Sequence, residues 1–370
     1  FSESSETFNA FTNPLNIVIL FCMILFVFIS TANSFINDNA INSIRIQEAK
    51  AAIAYHQDFR KSDILKLNGK SNLNHNTFIS TGYFQNQHPD WLKQVNGTTS
   101  LNYITLPGSH ESCTRIGGHD IICQSTSILE QLTLGIRFFD LHLAHVSDIF
   151  LLYHDTIYQQ LTFQTDILDI CIQYLINYPS ETIIFLINEE TQPTFCTRTF
   201  EDTLLSYVDY NGRSSFYLEE NLPTLDEIRG KIVIFRRFDA KTHPLGNQIK
   251  WKPDSTFTSS TTIKARVQDE STVLTLFDRA TKLSRINQLF MEAQTRTDES
   301  ELYFNFLSGS GRDCPPKKLD QYIKPAVIPF LQEYYINSYC GIIFMDFVEQ
   351  NSDAIIQAII DRNVKADDVD

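Results

Sequence analysis

The stretch Ile104-Thr-Leu-Pro-Gly-Ser-His-Glu-Ser112 ends an apolar run in a turn, which its Pro-Gly pair signals just before His110. A second apolar run, Ile149-Phe-Leu-Leu-Tyr153, is followed in the same way by His154. Two histidines, each placed directly after a strand-like segment, are typical of a pair that transfers protons. We therefore expect these two segments to define the fold and its site.

Between those two segments lies the strand-like run Gly135-Ile-Arg-Phe-Phe-Asp-Leu-His-Leu143. Asp140 and His142 are two residues apart in this run, so their side chains point to the same face of a strand. The run therefore adds a carboxylate and a third imidazole to the candidate functional residues.

Strand-like and helix-like segments alternate through the rest of the chain. The strand-like segments are 103–106, 137–143, 149–153, 182–188, 231–236, 303–307 and 341–347. The helix-like segments are 127–134, 166–177, 200–207, 272–296, 323–336 and 352–363. This alternation predicts a parallel α/β barrel, in which active residues lie at the carboxyl ends of the strands.

The composition bounds the class of protein. A chain of 370 residues can bury a full core, and a hydrophobic content of 43% argues against intrinsic disorder. The formal net charge of −14 disfavours nucleic acid as a partner and disfavours an electrostatic attraction to anionic lipid. Any membrane contact should therefore rely on apolar or aromatic side chains.

The N-terminal region contains an uninterrupted apolar run over 17–29, followed by small residues that end at Ser34. Thirteen apolar residues are few for a membrane span, so the run predicts a signal peptide over 1–34 and a secreted protein. The alternative is an uncleaved segment that anchors the protein to a membrane. An N-terminal extension over 35–87 and a single barrel over 88–370 complete the predicted organisation.

Six cysteines remain after the predicted signal peptide, an even number that permits disulfides in an oxidising compartment. Cys113 and Cys123 flank a short insertion after His110, and we expect them to pair with each other. Cys171 and Cys340 also fit small buried hydrophobic positions. Asn96-Gly-Thr98 is a sequon for glycosylation.

These motifs together resemble the X-type catalytic domain of phosphatidylinositol-specific phospholipase C, particularly the small single-domain enzymes of bacteria and fungi. Besides the segments quoted above, the motifs that carry the likeness are Gln131-Leu-Thr-Leu134, Pro179-Ser-Glu-Thr-Ile-Ile184, Gly230-Lys-Ile-Val-Ile-Phe-Arg-Arg237, Trp251–Thr258 and Ile342-Ile-Phe-Met-Asp346. The resemblance implies a distorted TIM barrel and cleavage of phosphatidylinositol (PI), or of a glycosylphosphatidylinositol (GPI), at a membrane surface. We expect a monomer.

The resemblance also implies a role for each central residue. His110 would be the general base on the inositol 2-hydroxyl, and His154 would be the general acid for the diacylglycerol oxygen. Asp346 would orient His110 and stabilise its imidazolium. The products would be diacylglycerol and a cyclic inositol phosphate.

The group that stabilises phosphate charge differs from that of the relatives. Metal-independent bacterial enzymes have Arg at the position of His142 and Lys at that of Asn188. Calcium-dependent relatives place metal ligands at the positions of Glu111, Asp140, His142 and Asn188. Because His142 fits neither pattern, two interpretations stay open: no metal, or a divalent cation such as Ca²⁺.

Further positions match substrate-binding residues of the relatives. Arg237 and Asp269 correspond to a basic and an acidic residue that contact inositol. His142 and Asn188 are candidates for substrate binding if no metal is present. An aromatic residue that stacks on the sugar in relatives has no counterpart directly after Asp269.

Two alternative functions remain open from the sequence. The first is a phosphodiesterase of the glycerophosphodiesterase or sphingomyelinase D type, which the His154-Asp155 pair superficially matches. The second is a non-catalytic inositol-lipid-binding protein on the same barrel. The joint presence of His110, His154 and Asp346 favours the enzyme.

Overall fold

A computed structural model describes residues 40–48, 50–51, 86–332 and 339–363. The chain divides into two compact units, Phe1–Ala51 and Ala52–Asp370. In the first unit, the described residues are helical. The predicted signal peptide over 1–34 and most of the predicted extension lie outside the described residues. Among the helices that are described, none has the length and apolar character needed to cross a bilayer.

The second unit contains a mixed sheet whose strands we number in chain order. They are β1 (Leu106–Ser109), β2 (Phe138–Val146), β3 (Ile149–His154), β4 (Ile157–Thr162), β5 (Ile183–Thr194), β6 (Phe216–Tyr217), β7 (Ile232–Arg236), β8 (Asn247–Gln248), β9 (Ser255–Ser260), β10 (Lys264–Asp269), β11 (Leu302–Phe306) and β12 (Ile342–Met345).

Helices separate the main strands of the sheet. They are α1 (Ile128–Leu134), α2 (Asp169–Asn177), α3 (Phe200–Asn211), α4 (Leu225–Ile228), α5 (Arg279–Gln294), α6 (Pro316–Gln332) and α7 (Ser352–Asp361). A π-helical turn, Gln164–Leu168, leads into α2, and short 3-10 turns cover Trp91–Gln94, Leu101–Tyr103 and Arg213–Ser215. Capping boxes at Ser127 and Thr199 begin α1 and α3.

The main sheet follows the order β6-β7-β5-β2-β1-β12-β11-β10-β9. Neighbours from β6 to β10 are parallel, whereas β9 is antiparallel to β10. No pairing connects the β6 end to the β9 end among the described strands. Parallel strands with intervening helices confirm the predicted α/β architecture, in the form of a distorted and open barrel.

Two details of the sequence prediction were wrong. The first strand begins at Leu106 rather than Tyr103, because Leu101–Tyr103 forms a 3-10 turn. In addition, β3 is antiparallel to β2 and pairs with β4, so these strands form a hairpin extension rather than a strand of the parallel barrel. Apolar periodicity identifies a strand but does not determine its direction in the sheet.

The predicted Cys113–Cys123 disulfide is absent, because both residues are buried free thiols. Cys113 packs in the main apolar core, which also contains Cys171. Cys123 instead lies near His110 and Asp346, and its Sγ contacts the carbonyl oxygen of Ile121. The two side chains therefore face different surroundings, although they flank the same insertion.

An ion pair is buried at the amino end of β2 and β5. The guanidinium of Arg137 lies 2.8 Å from Glu181 Oε2, and both side chains are fully buried. The same guanidinium donates to the carbonyl oxygens of Leu132, Ile136 and Pro89. These bonds provide acceptors for the N–H groups of the guanidinium where α1 meets the sheet. Arg137 therefore has a structural role.

We predict that Arg137→Met lowers the free energy of unfolding by about 3–5 kcal/mol, because Glu181 would remain buried without its partner. Arg137→Met combined with Glu181→Gln should recover part of the loss. Urea denaturation measures both effects. The control is Arg213→Ala, which breaks an exposed pair with Asp209 and should cost less than about 1 kcal/mol. Equal losses for the buried and exposed pairs would contradict this account.

Candidate active site

His110 and Asp346 meet because their strands are neighbours. Ser109 pairs with Met345 in the parallel register of β1 and β12, and each candidate residue follows its strand directly. His110 Nδ1 lies 2.8 Å from Asp346 Oδ1. An Nδ1–H that donates to this carboxylate leaves Nε2 with the lone pair that a general base needs.

The surroundings of His110 change its proton affinity. Burial by itself would lower the pKa of His110, but Asp346, followed by Asp140 and Glu111, raises that pKa to about 9. Asp346 is almost fully buried, while the His110 side chain keeps 21% of its surface exposed. The imidazole of His110 is therefore accessible from the barrel mouth, and the buried carboxylate of Asp346 holds it in place.

Two buried residues outside the sequence-predicted set hold this pair in place. Gln124 Nε2 donates to the carbonyl oxygens of His110 and Met345. Lys324 Nζ donates to the carbonyl oxygens of Asp346 and Phe347, each at 2.7 Å. Gln124 and Lys324 thus fix the backbone after β1 and β12. Their contacts are to backbone oxygens, so no sequence motif indicated them.

His142 is surrounded by carboxylates. Its Nδ1 lies 2.8 Å from Glu111 Oε1 and 2.7 Å from Glu190 Oε2, and its Nε2 lies 3.3 Å from Asp140 Oδ1. Burial by itself would lower the pKa of His142, but these three carboxylates raise it well above the usual value for histidine. The structure thus brings together Glu111, Asp140, His142 and Glu190.

Glu111 connects the histidines electrostatically. Although burial would raise the pKa of its carboxyl, the imidazoles of His142, His154 and His110 hold that pKa below the usual range for glutamate. Glu111 has a φ of 43°, in the left-handed region. Its backbone N–H donates to Asp140 Oδ2, which accompanies this conformation. His142 contacts this carboxylate directly, and the charges of His154 and His110 also act on it.

His154 reaches this site through the hairpin. The antiparallel register of β2 and β3 pairs Leu143 with Leu152, so β3 returns toward the level of His142. The backbone N–H of Asp155 donates to Glu190 Oε1 at 2.7 Å, which ties the end of β3 to β5. His154 is partly exposed, and its buried Nδ1 has no hydrogen-bond partner.

Asn188 lies opposite His142 in the register of β2 and β5. Its Nδ2 donates to Glu190 Oε2 at 2.9 Å, so it orients the glutamate that contacts His142. Asn188 also lines a cleft of about 960 Å³ together with Arg237. The resemblance implied either a metal ligand, if the site is metal-dependent, or a substrate-binding residue at Asn188. Glu190, which has the same strand parity, is the residue whose carboxylate contacts His142.

Arg237 and Asp269 are joined by Trp251. The guanidinium of Arg237 lies 4.1 Å from the centre of the Trp251 ring, and Trp251 Nε1 donates to Asp269 Oδ2 at 2.9 Å. Arg237 NH1 is also 3.8 Å from Asp140 Oδ1. The two predicted substrate-binding residues therefore form one wall with an aromatic ring between them, and the wall adjoins the carboxylate cluster.

Asp269 has a buried lysine nearby. Burial raises the pKa of Asp269, and the charge of Lys282 opposes that rise. Lys282 is almost fully buried, and its Nζ donates to Gln268 Oε1 at 2.9 Å. Burial lowers the pKa of Lys282 to about 8 against the opposing effect of Asp269. The sequence analysis did not identify this lysine, because it lies on α5, away from the strand-end motifs.

The chain is similar to known proteins in both sequence and fold. The family model for the phosphatidylinositol-specific phospholipase C X domain matches residues 114–238 of this chain. A solved structure of the Staphylococcus aureus phosphatidylinositol-specific phospholipase C aligns with a TM-score of 0.68 at 25% identity, over 74% of this chain and 97% of that one. The chain is therefore similar to the X-domain family in both sequence and fold.

Curated proteins are similar to the chain over a longer range. The 1-phosphatidylinositol phosphodiesterase of S. aureus is 27% identical over 258 residues, which are 62% of this chain and 77% of the relative. The enzyme of the same name from Listeria monocytogenes is 25% identical over 294 residues, which are 74% and 84% of the two chains. These matches extend beyond the range of the family model.

The candidate site has a donor set that fits a divalent cation. Ligand atoms of Glu111, His142 and Glu190 lie within 4.8 Å of one another. Asp140 Oδ1 is also buried, with His142 Nε2 at 3.3 Å and Arg237 NH1 at 3.8 Å as its charged neighbours. One imidazole among carboxylates is typical of transition metals such as Zn²⁺ or Mn²⁺, whereas Ca²⁺ prefers oxygen ligands. The residues therefore fit a metal, with the imidazole favouring a transition ion.

We predict that Mn²⁺ or Zn²⁺ raises the melting temperature of EDTA-treated protein, because a ligand that binds the native state stabilises it. A cation at 100 times its Kd should add about 2.7 kcal/mol. Differential scanning calorimetry measures the shift. Glu190→Gln should abolish it, while Glu292→Gln, distant from the site, should not. An unchanged melting temperature with every divalent cation would exclude this site.

Proposed function

We propose that this protein is a phosphatidylinositol-specific phospholipase C, which cleaves the phosphodiester between inositol and diacylglycerol. The observation that carries the proposal is the contact between His110 Nδ1 and Asp346 Oδ1 at the carboxyl ends of adjacent strands. The match to the X-domain family model and the names of the curated relatives support the same reaction.

In the proposed reaction, His110 Nε2 accepts the proton of the inositol 2-hydroxyl. The 2-oxygen then forms a bond to phosphorus, and the bond from phosphorus to the diacylglycerol oxygen breaks. His154 donates a proton to that leaving oxygen. Asp346 stabilises the imidazolium of His110 while the cyclic inositol phosphate forms. The two proton transfers need both imidazoles near one phosphate. The charges of His110 and His154 both lower the pKa of Glu111, which supports this proximity.

Positive charge is needed next to the phosphate oxygens as negative charge develops on them. Arg237 supplies a guanidinium beside Asp140, and the raised pKa of His142 favours an imidazolium there. In the alternative, a cation would replace the extra proton on His142, be held by Glu111, neutral His142 and Glu190, and supply Lewis-acid stabilisation of the phosphate when bound. These carboxylates otherwise carry negative charge close to an anionic substrate, so they require a cationic partner.

The proposed substrate is PI without further phosphates on the ring. Arg237 and Asp269 offer one basic and one acidic contact to ring hydroxyls, joined through Trp251. Recognition of extra phosphates generally requires a cluster of basic groups. The cleft beside Asn188 and Arg237 also provides space for a substituted inositol, so a GPI remains within the proposal.

We predict that His110→Ala and His154→Ala each lower kcat on PI by about 10²–10⁴-fold, because each removes one proton-transfer group. Release of water-soluble inositol phosphate from PI measures the loss. The control is His119→Ala, since His119 is 82% exposed and contacts Asp120 at the surface. Undiminished cleavage by His110→Ala would refute the mechanism. Binding of PI without turnover by the wild type, with EDTA and with each cation, would favour a non-catalytic binding protein.

A second prediction concerns pH. A general base must be unprotonated, so a pKa of about 9 for His110 predicts that kcat/KM rises with pH up to about 9. Asp346→Asn removes the charge that contributes most to raising this pKa, so the rising limb should move to lower pH while the maximal rate falls. Asp298→Asn, at an exposed ion pair, should leave the profile unchanged. A rising limb at the same pH in Asp346→Asn would contradict the assignment.

A further inference from the structure

Lys282 is a buried cation close to Asp269, one of the residues that form the wall of the site. It lies on α5, and only 3% of its surface is exposed. Its Nζ donates to Gln268 Oε1 at 2.9 Å, so the group that contacts the ammonium is a neutral amide. Burial of a charge is costly unless opposite charges compensate for it. The compensating charges must therefore come from carboxylates at a greater distance.

Four carboxylates stabilise the charge of Lys282. In order of decreasing effect they are Asp269, Glu270, Asp346 and Asp254. Asp269 ends β10 and Glu270 follows it, while Asp346 follows β12 and Asp254 precedes β9. Burial nevertheless lowers the pKa of Lys282 to about 8, which leaves the ammonium charged at lower pH. Lys282 is therefore a constant positive charge over the acidic range in which carboxyl groups titrate.

Gln268 connects this lysine to the backbone on both sides of Asp269. Its Oε1 also accepts the backbone N–H of Glu270 at 3.0 Å. Its Nε2 donates to Asn305 Oδ1 at 2.8 Å and to the Phe306 carbonyl oxygen at 2.9 Å, both on β11. Gln268 and Glu270 are the two neighbours of Asp269 in the chain, so these bonds fix the backbone that carries its carboxylate.

Asp269 is partly exposed, and its charge depends on the buried lysine. Burial raises the pKa of its carboxyl. The charge of Lys282 opposes this rise most strongly, ahead of the hydrogen bond from Trp251 and the charges of His110 and Arg237. An ionised carboxylate accepts hydrogen bonds on both oxygens, whereas a protonated one gives up part of that capacity. The lysine therefore favours the state of Asp269 that accepts from hydroxyl groups.

We propose that Lys282 is a positioning residue for an inositol ring: its charge and its hydrogen bond to Gln268 hold Asp269 as an ionised acceptor for ring hydroxyls. Lys282 acts through Asp269 rather than on the ring itself, because almost none of its surface is exposed. The inference rests on the proposed function, which supplies inositol as the group that is bound. Binding of the ring should therefore persist to lower pH with this lysine than without it.

The ionisation of Asp269 can be followed through Trp251. The Nε1–H of Trp251 donates to Asp269 Oδ2, so the NMR signal of this indole N–H should change as Asp269 titrates. The chain contains two tryptophans, and Trp251→Phe assigns the signal. Asp269→Asn should remove the acidic step of the titration. This measurement needs neither substrate nor activity.

Lys282→Met should move the midpoint of this acidic step to higher pH, because Asp269 loses the charge that most opposes the effect of burial. Lys282→Gln retains a donor for Gln268 and should show a shift in the same direction, which separates charge from hydrogen bonding. Lys282→Gln also provides the test if Lys282→Met does not fold. The control is Lys264→Met, at the amino end of β10 in an exposed pair with Asp298, which should not shift the midpoint. An unchanged midpoint in the Lys282 variants would overturn the proposal.

Binding of myo-inositol, followed through the same indole signal, tests the consequence for the ring. Asp269→Asn should weaken binding at least about tenfold, because a hydrogen bond to a charged acceptor is lost. Between the wild-type and variant midpoints, Lys282→Gln should approach the same loss, while above both midpoints it should bind like the wild type. Adding Lys282→Gln to Asp269→Asn should cause no further loss. A full further loss in the double variant would refute action through Asp269.

Cleavage of short-chain PI dispersed as monomers separates this inference from the proposed function. Between the two midpoints, Lys282→Gln should raise KM more than it lowers kcat, since His110 and His154 remain in place. A fall in kcat with an unchanged KM would contradict a positioning role in binding. If the wild type binds myo-inositol with the expected pH dependence but does not cleave PI, the inference stands and the proposed function fails.

Discussion

The parallel pairing of β1 with β12 is the constraint on which the site depends. It joins the first and last strands of the described sheet, and thereby brings His110 beside Asp346, 236 residues further along the chain. Gly108 permits this approach, because a Cβ there would lie 3.2 Å from Phe344 and 3.3 Å from the Phe138 carbonyl oxygen. A larger side chain would push apart the strands that position His110 and Asp346.

Several buried carboxylates beside the pair of His110 and Asp346 are the second feature of this site. Glu111, Asp140 and Glu190 contact one imidazole, and buried acids of this kind require compensating positive charge. His142 and Arg237 supply part of that charge within the protein. The same arrangement suits a phosphate and a cation, so the chemistry of this site depends on the balance of charge more than on any single residue.

Much of the fold could be predicted from the sequence, because alternating apolar segments define strands and helices locally. The β2–β3 hairpin could not, since Ile149–His154 has the same apolar pattern whether it runs parallel or antiparallel. The Cys113–Cys123 pair was wrong for a related reason: proximity in sequence does not determine where two side chains point. Lys324 and Gln124 act on backbone oxygens and therefore leave no pattern in the chain.

The sequence by itself determined the residue types at each strand end and their order, because strand parity and turn signals act over a few neighbouring residues. It thus indicated His110, His154 and Asp346 together with the carboxylates near them. Only the tertiary structure decided that Glu190, rather than Asn188, contacts His142. That contact depends on register and packing between distant segments, which local patterns do not encode.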